Sequence, residues 1–281
     1  MMEEKLAIPN KVNEKLGEFQ FLTGNSLKII ACISMLIDHF SKIFLGAILT
    51  KLFWMAENGE IPFEQYQSIS DFVRFRLYAI GTIAFPIFCF LLVEGFVYTK
   101  NRKRYIGSML IFAFISELPF DLGFFSELSS RNGTFPFYFS YQNVFFTLFL
   151  GLFCLLALEG LPKLIREQSR KKNIKAVLLQ LGVVVVVAAV AEFLKCDYGS
   201  MGIIFVVGFY FLRKNRILQA LGFLVLYMAT TGNQPTACTM ITVLLILLYN
   251  GTRGKLKLKY FFYWFYPAHI LLLYGMTLLL E

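Results

Sequence analysis

Apolar runs of about membrane-spanning length return nine times along the chain, at residues 27–50, 77–99, 105–125, 141–160, 176–194, 199–212, 217–231, 235–250 and 260–280. A helix needs roughly 20 apolar residues to cross the hydrocarbon of a bilayer, and lipid offers its backbone no water to bond. The runs therefore predict an all-α, polytopic integral membrane protein with about nine transmembrane helices. The runs at 199–212, 217–231 and 235–250 are short, so the expected count spans eight to ten. Composition agrees: 16% of residues are charged, against about 25% in soluble domains. The expected organisation is a polar cytoplasmic segment at 1–26, then a single transmembrane domain at 27–281. Residues 1–26 lack the short apolar core of a signal peptide, so the first span is expected to direct insertion.

Charge placement sets an orientation. Five basic residues, Lys51, Arg74, Arg76, Arg131 and Lys195, fall on one side of the expected spans, and Lys28 and Lys42 lie within the first. The other twenty, in the N-terminal tail and around 100–104, 163–175, 213–216 and 253–259, fall on the opposite side. The positive-inside rule then puts the N-terminus in the cytoplasm and the C-terminus outside the cytoplasmic (inner) membrane. It also accounts for the net charge of +9 without a nucleic-acid partner. The five cysteines form no CxxC pair and read as small packing residues, so no metal site is expected. Pro119 and Pro267 are expected to break or kink their spans.

Polar residues inside these spans carry the functional signal. Asp38 and His39 sit near the middle of the first run, where an ionised Asp costs roughly 2.5–3.5 kcal/mol. Eleven residues, close to three helical turns, separate Lys28 from His39, so Lys28, Cys32, Met35 and His39 share one face. Asp38 points about 100° away and is expected to pair with a neighbouring helix, or to orient His39 through water. His269, the other histidine, lies near the middle of the last run. Glu94, Glu117, Asp121 and Asn143 are further buried candidates, each able to serve instead as a hydrogen-bonded helix tie. Arg102, Lys103 and Arg104 in "TKNRKRY" form a basic loop suited to phosphate oxygens as well as to topology. A mid-membrane base below a cationic entrance suits group transfer from a phosphate-bearing cytoplasmic donor, for which an acyl-CoA is the natural choice.

The segments "LKIIACISMLIDHF", "IAFPIFCFLLVEGFVYTKNRKRY", "FAFISELPFDL", "NVFFTL" and "YPAHILLLY" resemble, in order, the TraX family, whose namesake acetylates the N-terminus of conjugative F-type pilin. The resemblance covers about 27–150 and 260–275. The family is similar in turn to wider transmembrane acyltransferases, which carry a basic residue, ten intervening positions and a histidine in an early helix. Lys28 and His39 have that spacing here. Lys28 stands where the wider group usually has Arg, and Thr82 in "IGTIAFP" stands where a basic residue is expected. The resemblance implies transfer of an acetyl group from acetyl-CoA to an amine or hydroxyl, on a pilin N-terminus or another envelope molecule. His39 would be the base, with Asp38 beside it. Lys28, Arg102, Lys103 and Arg104 would bind the donor. Glu94, Glu117, Asp121, Asn143 and His269 would serve the acceptor or the oxyanion. A proton-coupled transporter and a non-enzymatic assembly factor are the alternatives.

Overall fold

The computed structural model describes residues 17–164, 170–256 and 259–280. Most of the expected cytoplasmic segment, together with Arg166 and Lys257, lies outside them. Among the described residues the elements are helices, and one falls on each of the nine apolar runs. Among the described residues five stretches are long and apolar enough to cross a membrane: Gly24–Glu57, Phe63–Tyr98, Arg102–Arg131, Val144–Leu161 and Ile174–Phe193. Gly199–Phe211, Arg216–Thr231 and Ala237–Leu247 are shorter apolar helices. The fold class is thus the all-α polytopic one that the hydropathy demands.

The first run is longer than expected and is not uniform. Helix α1 (Gly24–His39) continues through a widened π turn, Phe40–Phe44, into α2 (Leu45–Glu57). The Leu45 N–H reaches back five residues to the Phe40 carbonyl. The Ser41 hydroxyl donates to the Asp38 carbonyl at 2.7 Å, a side-chain bond of the kind that competes with the helical ladder.

The second run is preceded by a helix that the hydropathy did not single out. Helix α3 (Phe63–Phe72) passes through a second π turn, Val73–Leu77, into the single turn α4 (Tyr78–Gly81). The chain then bends at Thr82–Ile83 before α5 (Ala84–Tyr98). At the bend the Ile80 carbonyl accepts from the Ile83 N–H at 3.2 Å and from the Ser34 hydroxyl at 2.6 Å. Pro86, four residues after Thr82, has no N–H to offer the Thr82 carbonyl, so the ladder is already interrupted there. The expected breaks at Pro119 and Pro267 do not end their helices: α6 (Arg102–Arg131) and α12 (Lys259–Thr277) continue through them. One missing N–H is tolerable where neighbouring helices hold both sides of the segment. Between these lie α7 (Val144–Leu164), α8 (Arg170–Phe193), α9 (Gly199–Phe211), α10 (Arg216–Thr231) and α11 (Ala237–Leu247).

The described residues group into two compact units. The first, here the arginine unit, draws on Met1–Gly24, Cys89–Ala113 and Ser140–Gly254. Within it α7, α8 and α9 pack on one another, α9 packs on α10, and α10 on α11. Phe90, Phe96, Leu152, Ile203 and Phe205 are fully enclosed. Helix α8 keeps most of its apolar surface outward, Val185 and Val186 included, as a lipid-facing helix does.

The second, here the histidine unit, draws on Asn25–Phe88, Phe114–Phe139 and Lys255–Glu281. In it α12 packs on the widened turn Phe40–Phe44. Gly123 of α6 permits a close approach: a Cβ there would meet Ile270 Cγ2 at 2.6 Å and Ile43 Cδ1 at 3.1 Å.

Candidate functional site

The histidine unit joins the two histidines, 230 residues apart in sequence. His39 is the last residue of α1, so the widened turn begins immediately beyond it. Its Nδ1 lies 2.7 Å from His269 Nε2, and the two rings are nearly coplanar, with centroids 4.9 Å apart and planes 6° from parallel. The other nitrogen of His269, Nδ1, lies 2.5 Å from the carbonyl oxygen of Phe265, one turn back on α12. A carbonyl only accepts, so His269 Nδ1–H is the donor. Phe265 stacks on His269 with centroids 4.7 Å apart. Phe124 and Tyr266 meet His39 edge-on at 5.2 and 5.8 Å. The His39 side chain keeps 12% of its surface accessible.

Asp38 departs from expectation. Its partner is not on another helix: Oδ2 accepts from Lys42 Nζ at 2.7 Å, one turn further along the same run. The reason is local, because an acid and a lysine four residues apart face each other on a helix. The 100° offset from His39 does hold the two apart, with His39 Nε2 3.9 Å from Asp38 Oδ2, beyond hydrogen-bonding range. Asp38 also leans on the bend before α5. A Cβ on Gly81 would fall 2.2 Å from Asp38 Oδ1, so only glycine leaves room for the carboxylate. The Lys42 ammonium lies over the Tyr78 ring at 5.5 Å. Tyr78 lines a cavity of about 190 Å³ together with Gly46, Thr50, Phe53, Tyr66 and Arg74. His39 is not among its lining residues.

The other expected residues of this unit take separate places. Lys28 lies over the Phe262 ring at 5.2 Å, and Cys32 is buried. Glu117 is half-buried on α6. Asp121 is 1% exposed; its Oδ2 accepts from the Tyr138 N–H at 2.9 Å. Tyr138 also stacks on Phe125, with centroids 4.6 Å apart. Asp121 thereby pins the chain after α6 onto that helix, while its Oδ1 has no hydrogen bond. Thr82 is exposed, and its hydroxyl donates to the Ala79 carbonyl at 2.7 Å.

The arginine unit holds the remaining expected residues, and most are already engaged. Arg102 forms an ion pair with Glu159, and its Nε donates to the Phe96 carbonyl at 3.2 Å. Tyr210 donates to the other Glu159 oxygen at 2.8 Å. Lys103 and Arg104 are exposed at the head of α6. Glu94 is buried 3.6 Å from Arg216 Nη1. The Arg216 guanidinium lies over the Phe90 and Tyr249 rings and donates to Gln219 at 2.8 Å. Fully buried Asn143 donates to the Ala113 carbonyl at 2.8 Å and accepts from the Phe145 N–H at 3.0 Å. It caps α7 and ties it to α6.

Sequence reasoning passed over Lys42, Gly81, Glu159 and Arg216. For Lys42 the signal was present in its four-residue spacing from Asp38. The partners of Glu159 and Arg216 are 57 and 122 positions away in sequence, where no local spacing rule reaches.

With this geometry in view, the chain was compared with known proteins. Residues 23–277 match the model of the TraX protein family. The chain is 28% identical over 271 residues to a probable fimbrial assembly protein FimC, serogroup H1, of Dichelobacter nodosus, a match covering 91% of this chain and 96% of that one. No solved structure matches. A family match that runs from the start of α1 to the end of α12, both histidines included, makes this chain a member of the TraX family.

Proposed function

We propose that this protein is an acyltransferase of the cytoplasmic membrane, N-terminus inside, that moves an acetyl group from acetyl-CoA to an amine or hydroxyl of a pilus or envelope acceptor. The observation that carries the reading is His39. It is a ring clamped between aromatic neighbours and His269, beside a carboxylate that is itself held by Lys42. A general base needs that kind of fixed imidazole. His39 takes the proton of the acceptor as its nitrogen or oxygen attacks the thioester carbonyl. The tetrahedral intermediate then expels the CoA thiolate, which recovers the proton from the imidazolium. Lys28, in the same unit as His39, supplies positive charge that draws the anionic donor, whereas Arg102 spends its charge on Glu159. The fimbrial assembly name of the Dichelobacter nodosus relative favours a pilus subunit as acceptor.

The transporter alternative asks the same groups to relay a proton. Against it, the histidine pair ends on the Phe265 carbonyl, which accepts a hydrogen bond but passes no proton on.

The test is His39→Ala in membranes supplied with labelled acetyl-CoA and a candidate acceptor. Transfer is expected to fall about 10²- to 10⁴-fold. Retained transfer removes His39 from the chemistry. Solute flux through proteoliposomes without acyl-CoA would favour the transporter. A pilus phenotype indifferent to loss of both histidines would favour an assembly factor.

A further inference from the structure

We infer that His269 is a positioning residue that fixes the tautomer of His39, so that Nε2 of His39 is the proton-accepting atom; this rests on the acyltransferase reading above. One chain of contacts fixes where each proton sits. It starts at the Phe265 carbonyl, which can only accept, so His269 Nδ1 carries a hydrogen. An uncharged His269 then has a bare Nε2. That nitrogen faces His39 Nδ1 at 2.7 Å, and two bare nitrogens at this distance would repel, so His39 Nδ1 carries the hydrogen between them. An uncharged His39 is left with its lone pair on Nε2. The Lys42–Asp38 pair already balances its own charge, and a net charge on the ring pair at this depth is costly.

The direction of the free lone pair follows. Nε2 is the His39 atom nearest Asp38, 3.9 Å from Oδ2. Once Nε2 takes a proton from the acceptor, the imidazolium lies beside a carboxylate. Neither ring can easily exchange its nitrogens by flipping. His39 and His269 lie nearly in one plane, joined end to end through their nitrogens, while Phe265 covers a face of His269 and Phe124 and Tyr266 meet His39 edge-on. His269's own tautomer is set inside α12, by a bond to the carbonyl one turn back. Packing of α12 on the widened turn then transmits that choice to His39.

Two histidines in the whole chain make the assignment directly readable. The full-length protein, labelled with ¹⁵N-histidine and reconstituted in lipid, is examined by solid-state NMR at neutral pH. His269→Gln assigns the signals. Expected is His39 with Nδ1 protonated and Nε2 bare, the form that free imidazole side chains favour less. His269→Leu is expected to return His39 to the Nε2–H form. In the acetyl-transfer assay it should lower kcat about 10²- to 10⁴-fold, as a wrong tautomer does, with KM for acetyl-CoA unchanged. His269→Gln, whose side-chain oxygen can still accept from His39 Nδ1–H, should keep the tautomer and most of the turnover. A protonated Nε2 on wild-type His39 overturns the assignment, as does undiminished kcat in His269→Leu. If that variant fails to fold, the wild-type spectrum and His269→Gln still decide. A wild-type protein with the expected tautomer but no acetyl transfer would uphold the tautomer and sink the acyltransferase reading instead.

Discussion

The two units differ in how completely they close their buried polar residues. In the arginine unit the polar groups are mostly closed against one another. Asn143 has both ends of its amide bonded, Gln219 bridges Arg216 to the Phe209 carbonyl, and Glu159 is shared by Arg102 and Tyr210. One oxygen of Glu94 is the exception. In the histidine unit two buried valences stay open: Asp121 Oδ1 and Ser116 Oγ have no hydrogen bond. Burial alone therefore does not separate closed polar groups from open ones. A satisfied group is held in place by its partners, whereas an open one is available to a ligand or a reacting proton.

That contrast predicts where stability and activity part. The largest effect falls on the closed side. Asn143→Leu removes the side-chain donor to the Ala113 carbonyl and the acceptor of the Phe145 N–H together, and should cost about 2–4 kcal/mol. Thermal unfolding in detergent measures it; an unchanged midpoint would mean that Asn143 is not a structural tie. Next comes the open side. Gly81→Ala places a methyl against the Asp38 carboxylate and should slow acetyl transfer about 10- to 100-fold by displacing it, with at most about 1–3 kcal/mol lost in stability. Normal turnover in this variant would detach the Asp38–Lys42 pair from the chemistry.

The smallest effect concerns Arg102 and Glu159. They are partly exposed, with side-chain accessibilities of 35% and 24%, so breaking the pair should cost only about 1 kcal/mol. Arg102→Ala and Glu159→Gln should behave alike, with KM for acetyl-CoA unmoved in both. A raised KM in Arg102→Ala alone would restore Arg102 as a phosphate contact and blur the line between the units.

Much of this was legible in the sequence because the bilayer leaves few choices. A run of about twenty apolar residues must become a helix, and its length alone fixes that. The separation of His39 from Asp38 followed from helical pitch. The bend at Thr82–Ile83 was less visible, since Pro119 and Pro267 carry the same local signal as Pro86 and yet stay helical.

The sequence by itself determined the helical class and the charge asymmetry and singled out His39 within its apolar run, all of which are read from neighbours within a few turns. Only tertiary structure decided that His269 is the partner of His39, that Asp38 is held against Gly81, and that Arg102 is occupied by Glu159. Each of those depends on atoms brought within a few ångströms across tens to hundreds of residues. Hydropathy says which segments enter lipid, but carries no information on which face of one helix meets which face of another.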